Sequence, residues 1–550
     1  MNQISTMSIK GIFISGLLLG CVAVSEAQDT TKKRTIEISS AFKPVIREAA
    51  KVNFNASAPN TDTTRPVLRY DLPAEKLLFV YQPGELKPLA FEPDSNAAWS
   101  LSNYIKAGVG NVHLPYIKAG LSFGDGENTF FNILADHYTS KGKLENQKHS
   151  YSRIGAAATY KTASDLEFNG SIGVSNNDYF LYGAPDSLDL TKEDLKQRFQ
   201  QLDLNLGMRN IVPTELGLNY DPSLRFNVFT DNHYQKGSEV NTVVSLPVTK
   251  TLGKTTGFRL GLTADMTNYK RQEKESISNN IFLIQPALQF KTPNFFLHAG
   301  ITPSWDNGNF YMLPNLMADI TTSDQRLTLQ LGWIGYYNKG SYQRFSTINP
   351  WLAQPDSLLN DRVNEIYAGV KGSLLDHFSY SAKVGLQKHR NIPLFVNNTI
   401  DQKDFIAIYE PELSILNTHA EAQYTVGEQF SAKAAFDFRS FAKQKQELQA
   451  WGILPLELNA TLRWQVMKDL YVNSGLWAFD GAKYMGLNGE SYKGETGFDL
   501  NAGIEFKVVK NLSLWVQFNN ILNNNYERWN RYEVFGFNVL GGIIYSFNQQ

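Results

Sequence analysis

The chain has 550 residues, of which 42% are hydrophobic and 13% aromatic, with a formal net charge of −1 and a mean hydropathy of −0.30. This mean hydropathy argues against a bundle of membrane helices. Each such helix would need about 20 consecutive apolar residues, and no run of that length follows the N-terminus. The near-neutral charge, without a Lys/Arg tract, argues against a nucleic-acid partner. The length suits either several soluble domains or one large membrane barrel, so the residue pattern must decide between them.

The N-terminus has the build of a secretory signal. Lys10 precedes an apolar core over residues 11–24, and small residues follow up to Ala27. This pattern predicts a signal peptide over 1–27 that is cleaved on export. The single cysteine, Cys21, allows an alternative, because residues 18–21 (LLGC) loosely match a lipoprotein processing site. Cleavage after Ala27 would leave no cysteine, and therefore no disulfide, thiolate metal site or thiol catalysis.

Residues 28–98 are polar and rich in Pro, Asn, Ser and Thr, with no sustained apolar period. They predict an extended arm that lies in the periplasm or occupies the lumen of a barrel.

From Trp99 to the C-terminus the chain alternates between apolar and polar residues. In residues 456–466 every second position is apolar and every position between is polar. A period of two predicts a strand with one apolar and one polar face. The same alternation recurs in residues 202–208, 258–266, 327–333, 430–438 and 498–508.

Strand length and loop spacing separate a membrane barrel from a soluble sandwich. The longest runs last about 9–11 residues, the length that crosses a bilayer at a tilt. Short polar turns, such as 125–126 and 468–469, alternate with long loops, such as 339–362 and 480–493. We therefore predict an all-β fold in which residues 99–550 form a transmembrane antiparallel barrel of about 22 strands.

The polar strand faces would line the lumen of such a barrel. Their mixed charges predict weak ion selectivity, and salt-bridged packing inside a closed barrel is the alternative. The candidate lumen residues are Asp203, Arg209, Lys433, Asp437, Arg439, Glu457, Asn459, Arg463, Asp499, Asn501, Glu505 and Lys507.

Aromatic residues give two further signals. Gly542, Tyr545 and Phe547 belong to a final strand that resembles the terminal signal read by the outer-membrane barrel assembly machinery. Other rings cluster near strand ends and are expected at the lipid headgroups. These rings include Trp333, Tyr336, Tyr337, Tyr471, Trp477, Trp515, Tyr526, Trp529 and Tyr532.

Residues 512–526 end in Asn, two apolar residues, Asn, two further residues and Tyr. This segment resembles the penultimate strand of TonB-dependent receptor barrels, and residues 42–55 (FKPVIREAAKVNFN) resemble the N-terminal segment of plugless receptor-like barrels. The resemblance implies an outer-membrane barrel of the receptor type. It departs from that family in one respect, because residues 28–98 are too few for the large plug domain of those receptors.

Catalytic and cofactor sites find no support in the sequence. The eight histidines show neither an i, i+4 pair nor His-x-His, so no metal site is expected. Residues 108–111 (GVGN) are not followed by a helix, and no G-x-S-x-G turn occurs, so neither a phosphate loop nor a nucleophile elbow is expected. We predict no enzyme activity and no cofactor.

Two loops carry apolar residues. Thr191 and Asp194 form the pattern of a capping box for a short helix, and residues 350–352 (PWL) lie in another loop. Such loops would form either a lid or a docking surface for a protein partner, which the arm could also bind. Outer-membrane lipid is the other expected partner. The predicted function is an outer-membrane transport protein or channel, and the alternative is a structural or assembly subunit of an outer-membrane complex.

Overall fold

The computed structural model describes residues 103–547, apart from 186, 233–235, 325, 375–376 and 428. The predicted signal peptide, its two processing sites, the arm over 28–98 and the barrel boundary at Trp99 lie outside the described residues. They remain predictions.

In the described part of the chain, 22 antiparallel strands form one continuous wall. Numbering all strands in chain order, the wall consists of β1 Asn103–Gly110, β2 His113–Gly124, β3 Thr129–Lys141, β4 Lys148–Lys161, β5 Leu166–Phe180, β6 Lys196–Asn210, β8 Ser223–Asn232, β9 Lys236–Leu252, β10 Thr256–Arg271, β11 Ile277–Lys291, β12 Phe295–Asp306, β13 Asn309–Thr321, β14 Leu327–Asn338, β15 Asp361–Leu374, β16 Phe378–Arg390, β19 Leu413–Val426, β20 Phe430–Gln444, β21 Leu456–Met467, β22 Leu470–Asp480, β25 Gly497–Val509, β26 Leu512–Asn519 and β29 Asn538–Phe547.

The wall closes because its first and last strands pair. Strand β1 runs antiparallel to β29 from Asn103 opposite Phe547 to Gly110 opposite Leu540. Closure leaves no sheet edge, which in hydrocarbon would expose unpaired N–H and C=O groups. The prediction of an all-β barrel with about 22 strands is confirmed.

The remaining elements lie in the connections between the wall strands. Strand β7 (Leu218–Tyr220) pairs with β9 beside a turn. Three hairpins lie in long loops: β17 Ile392–Asn397 with β18 Phe405–Glu410, β23 Lys483–Met485 with β24 Ser491–Lys493, and β27 Glu527–Trp529 with β28 Tyr532–Glu533. Within the part of the chain that the structure describes, two short helices span Lys192–Leu195 and Tyr342–Ile348. None of the helices among the described residues has the length and apolar character needed to cross a membrane.

An apolar belt covers the outside of the wall. In β15 and β16, Ile366 and Leu386 are exposed, whereas Glu365 and Lys383, at alternate positions, are buried and joined by an ion pair. Exposure of the apolar side and burial of the charged side fit a barrel with lipid outside. The architecture is therefore that of an outer-membrane protein, with short turns on the periplasmic side and long loops outside.

The last part of the chain departs from the sequence-based expectation. Strand β26 ends at Asn519, and residues 520–526 turn away into a loop. Asn520 and Asn523 adopt positive φ angles of 46° and 50°, and the side-chain amide of Asn520 donates to the carbonyl of Asn524. Asparagine tolerates this backbone conformation, so the Asn-rich stretch ends the strand.

Four aromatic residues that we expected at the headgroups are instead buried. Tyr526, Trp529 and Tyr532 pack inside the loop that follows β26, and Trp515 faces away from the lipid. The expectation of a position at the headgroups was wrong for these four rings. A long loop carries three of them over the end of the barrel, and the fourth, Trp515, lies on the inward face of its strand.

Candidate functional site

Long loops cover the outer end of the barrel and contact each other. We call these residues the loop cap: 181–185, 187–195, 339–360, 391–412, 445–455, 481–496 and 520–537. They enclose a core of buried aromatic and aliphatic side chains. This core consists of Phe180, Leu181, Leu195, Phe199, Phe229, Tyr269, Tyr342, Phe345, Ile348, Leu352, Leu358, Phe395, Phe405, Trp529 and Tyr532.

A short helix of the cap is attached to the barrel wall. The helix Tyr342–Ile348 begins after Ser341, and the carboxylate of Glu239 accepts hydrogen bonds from the Ser341 hydroxyl and the Tyr342 N–H at 2.9 and 2.6 Å. The Tyr342 hydroxyl donates to Asp231 at 2.6 Å. A carboxylate at a helix N-terminus satisfies N–H groups that the helix itself leaves free.

Tyr532 joins loops from distant parts of the wall. Its ring stacks on Trp351 with centroids 4.1 Å apart and contacts Tyr182 at 5.1 Å and Phe405 at 6.0 Å. Its hydroxyl donates to the carbonyl of Lys403 at 2.6 Å. These loops follow the fifth, thirteenth, fifteenth and twenty-first strands of the wall, so the contacts bridge the outer mouth.

Hydrogen bonds to backbone carbonyls also connect the loops that meet at Tyr532. The Arg531 Nε donates to the carbonyl of Gly183 at 2.6 Å, and the Tyr182 hydroxyl donates to the carbonyl of Glu533 at 2.7 Å. Burial raises the pKa of Tyr532 well above its usual value. Tyr532 therefore remains neutral and able to donate.

A second junction depends on Glu410. Its buried carboxylate accepts backbone N–H bonds from Glu412, Lys445, Gln446 and Glu447 at 2.6–3.2 Å. Burial favours the neutral acid, but the four N–H donors outweigh it and lower the pKa. Glu410 thus ties the loop after β16 to the loop after β20.

Arg528 is a buried cation of the cap. The guanidinium of Arg528 lies 4.2 Å from the centre of the Trp529 ring and donates to the carbonyl of Gly452 at 3.0 Å. Burial lowers the pKa of Arg528 to about 10, while the charge of Glu457 acts in the opposite direction.

The lumen residues predicted on β20 lie together. Asp437 is 2.9 Å from His419 and 3.8 Å from Arg439, and Lys433 is 3.7 Å from Glu421. These groups form one mixed-charge cluster on the polar faces of β19 and β20.

Two predicted acids lie higher on the wall, at the base of the cap. The Trp477 indole N–H donates to Glu457 at 2.8 Å, and Asn459 donates to the same carboxylate at 3.3 Å. The Tyr526 hydroxyl donates to Asp499 at 2.9 Å. These acids connect the wall to the last loop of the cap.

The other candidates on this side have separate environments. Asn501 accepts the N–H of Asn520 at 3.0 Å, and the guanidinium of Arg463 lies 5.5 Å from the Tyr471 ring centre. Glu505 is buried.

Three predicted residues lie elsewhere on the wall. Asp203 accepts from Asn227 at 2.6 Å, and Arg209 forms an ion pair with Glu167 at 2.8 Å, both on or beside β6. Lys507 is half-buried near the turn end of β25. The structure therefore divides the candidates into groups, and their role as a transport lining remains a prediction.

The structure shows where the apolar residues of these two loops lie. Thr191 caps the helix Lys192–Leu195 through the predicted capping box. Leu195 and Leu352 are buried in the core of the cap, and a docking role for the outer surface of these loops remains a prediction. The roles of Tyr532 and Glu410 in the cap were missed, because neither residue belongs to a sequence pattern that identifies its partners.

No group of three metal-ligating side chains occurs within the described ranges. His389 bonds Asp361 at 3.0 Å, and His419 lies between Asp437 and Glu421.

Comparisons with known proteins place this fold among receptor barrels. The Neisseria meningitidis iron transporter FrpB has a TM-score of 0.63 at 10% identity, with 81% of each chain covered. The Acinetobacter baumannii siderophore receptor PirA has a TM-score of 0.61 at 10% identity, covering 81% of this chain and 80% of the other. FpvAI, solved in complex with pyocin S2, has a TM-score of 0.59 at 11% identity, covering 81% and 70%.

No protein-family model and no curated protein matches the chain. The described barrel thus has the fold of the TonB-dependent receptors, as the resemblance implied.

Proposed function

We propose that this chain is an outer-membrane transport barrel, and not an enzyme, whose outer mouth is closed at rest by its own loop cap. The observation that carries this proposal is the junction at Tyr532, where loops from four separated parts of the wall meet. A permanently open pore would not need such contacts across its mouth. The fold shared with receptors and transporters supports a transport role.

Opening then requires a ligand or protein that binds the cap better when its loops are apart. A binder shifts such an equilibrium only through its different affinity for the two states. One of the similar receptors was solved with a protein partner, pyocin S2. A protein or solute that engages the outer loops is accordingly the partner that we propose here.

Conductance across a planar bilayer tests this proposal. The unmodified barrel should be silent or nearly silent, and a variant with Trp351→Ala and Tyr532→Ala should carry steady currents. Deletion of residues 28–98 in both backgrounds shows whether the predicted arm also occludes the lumen. Large steady currents from the unmodified barrel would contradict a closed resting state.

A structural role in an outer-membrane complex is the second candidate. Charge pairing within the wall favours it, as in Arg209 with Glu167 and Lys383 with Glu365. Under this proposal the barrel stays silent even when both the cap junction and residues 28–98 are removed. Stable co-purification with other membrane proteins would be the positive result.

A further inference from the structure

Three cations surround one carboxylate where β16, β19 and β20 reach the outer end of the barrel. Arg390, Lys388 and Lys443 place side-chain nitrogens 2.6, 3.1 and 3.9 Å from the carboxylate of Glu412. We call these four residues the rim patch. The side chains of the cations are 38–73% exposed, whereas that of Glu412 is 12% exposed. The positive charges therefore face solvent and the negative charge lies beneath them.

The rim patch lies on the lipid side of the wall. Along β16, His389 is buried and bonds Asp361, so the residues on either side of it point the other way. Lys388 shares this outward face with Leu386, which is 63% exposed and belongs to the apolar belt. Two residues along a strand span about 7 Å. The patch thus stands immediately above the belt, at the level of lipid headgroups.

The backbone beneath the patch is held in place. Glu410 accepts the N–H of Glu412 and three N–H groups that follow Lys443 in the chain. This clamp fixes the loop that carries Glu412 against the end of β20. The site is therefore organised before any ligand arrives.

The charges within the patch do not balance. Three cations meet one carboxylate, which leaves an excess of two positive charges. The hydrogen bond from Lys388, together with the charge of Arg390, lowers the pKa of Glu412 and keeps it ionised. Arg and Lys side chains bind phosphate through charge-assisted hydrogen bonds.

We propose that the rim patch binds the phosphate of an anionic lipid in the outer leaflet, whose acyl chains lie against the exposed side chains of Leu386 and Val384. The phosphate supplies the missing negative charge, and the adjacent belt supplies the apolar contact. A free phosphate ion would match the charge but would gain nothing from the belt.

Native mass spectrometry of the full-length protein in detergent tests this site. The probes are lipid A with two phosphates, dephosphorylated lipid A, and inorganic phosphate. The bisphosphorylated lipid should bind tightest. Equal binding of the dephosphorylated lipid would overturn the proposal, because apolar contact alone would then explain it. Equal binding of inorganic phosphate would overturn a lipid as the ligand.

Charge-removing variants locate the site. Each cation near a membrane surface contributes about fivefold to the binding of anionic lipid. Combining Lys388→Gln, Arg390→Gln and Lys443→Gln should therefore weaken lipid A binding on the order of a hundredfold. The matched control combines Lys250→Gln, Lys254→Gln and Lys291→Gln, three exposed lysines at the turn end, and should bind normally. An equal loss in both variants would overturn the assignment.

A gain of binding separates the proposal from misfolding. Glu412→Gln removes the competing carboxylate and frees all three cations for the lipid phosphate. This variant should bind lipid A several-fold tighter, roughly the effect of one surface charge. Unchanged or weaker binding in a folded Glu412→Gln barrel would contradict the proposed role of the patch.

Discussion

Trp351 and Tyr532 are stacked, with ring centroids 4.1 Å apart and planes inclined by 25°, although their loops leave the thirteenth and twenty-first strands of the wall. Favourable contact between two aromatic rings stabilises the pair by about 0.5–1.5 kcal/mol beyond the burial of its area. The pair therefore connects loops that the barrel wall alone would hold apart.

Removing the Tyr532 ring should loosen the loop cap. Tyr532→Ala deletes a buried aromatic side chain, which costs about 3–5 kcal/mol in protein cores. Hydrogen exchange should accelerate in residues 391–412 and 520–537 while the strands of the wall remain protected. Tyr532→Phe is the matched control, because it keeps the stack and loses only the bond to Lys403, worth about 1 kcal/mol. Unchanged exchange in Tyr532→Ala would show that other contacts hold the cap.

Glu239 should control the attachment of the cap helix to the wall. Glu239→Ala leaves the Ser341 hydroxyl and the Tyr342 N–H without their acceptor, and bonds to charged groups contribute about 1.5–3 kcal/mol each. Exchange of the amides in 341–348 should increase. Gln343→Ala, in the same helix, should have little effect. Equal exchange in the two variants would exclude an anchoring role for Glu239.

Acid should release the junction at Glu410. Its pKa in the folded protein is lowered below the ordinary value of 4.5. The stabilisation is therefore complete above that value and is lost as the pH falls through the folded-state pKa. Proteolysis of residues 445–455 by an acid-active protease should therefore rise as the pH falls below 4.5 and through the lowered pKa of Glu410.

Glu410→Gln supplies the control for this pH effect. The variant should loosen the same loop by about 1–3 kcal/mol at neutral pH and should lack the acid transition of Glu410. An identical acid transition in the variant would assign that transition to another group.

Closure of the barrel should depend on Gly542. A Cβ at this position would collide with the backbone of Ala107 and Gly108 on β1. Gly542→Ala should therefore lower the yield of folded barrel, measured as the heat-modifiable band in gel electrophoresis. A Cβ at Gly541, on the opposite face, would come no closer than 3.3 Å to another atom, so Gly541→Ala is the control. Equal yields of folded barrel from Gly542→Ala and Gly541→Ala would show that the close approach of the two strands at Gly542 does not limit closure.

The final aromatics remain a predicted assembly signal. Tyr545 is exposed on the outer face of β29, and its ring centroid lies 5.8 Å from that of Phe547. The double change Tyr545→Ala and Phe547→Ala should reduce the amount of barrel that reaches the outer membrane in cells. Ile543→Ala removes a comparable exposed apolar side chain from the same face and should assemble normally. Normal assembly of the double variant would reject the signal.

Much of the wall could be predicted from the chain. The alternation in residues 456–466 is a local property, and it became strand β21, Leu456–Met467. The short turn at 468–469 likewise separates β21 from β22. Counting such segments predicted the number of strands, since each strand crosses the bilayer once and closure requires an even number here.

The cap could be predicted only in part. The capping box at Thr191 was visible because its two partners are three residues apart. The role of Tyr532 was not visible, because its partners Tyr182, Trp351 and Phe405 come from other loops. Its position near the end of a presumed strand suggested a headgroup contact instead.

By itself, the order of residues determined that this protein is a barrel with its apolar side chains outward, because a strand sorts its side chains between two faces whatever the rest of the chain does. Tertiary structure alone decided that the loops close over the mouth and that Arg390, Lys388 and Lys443 share one carboxylate. Those contacts depend on distances across the barrel and between neighbouring strands, which exist only after the wall has closed.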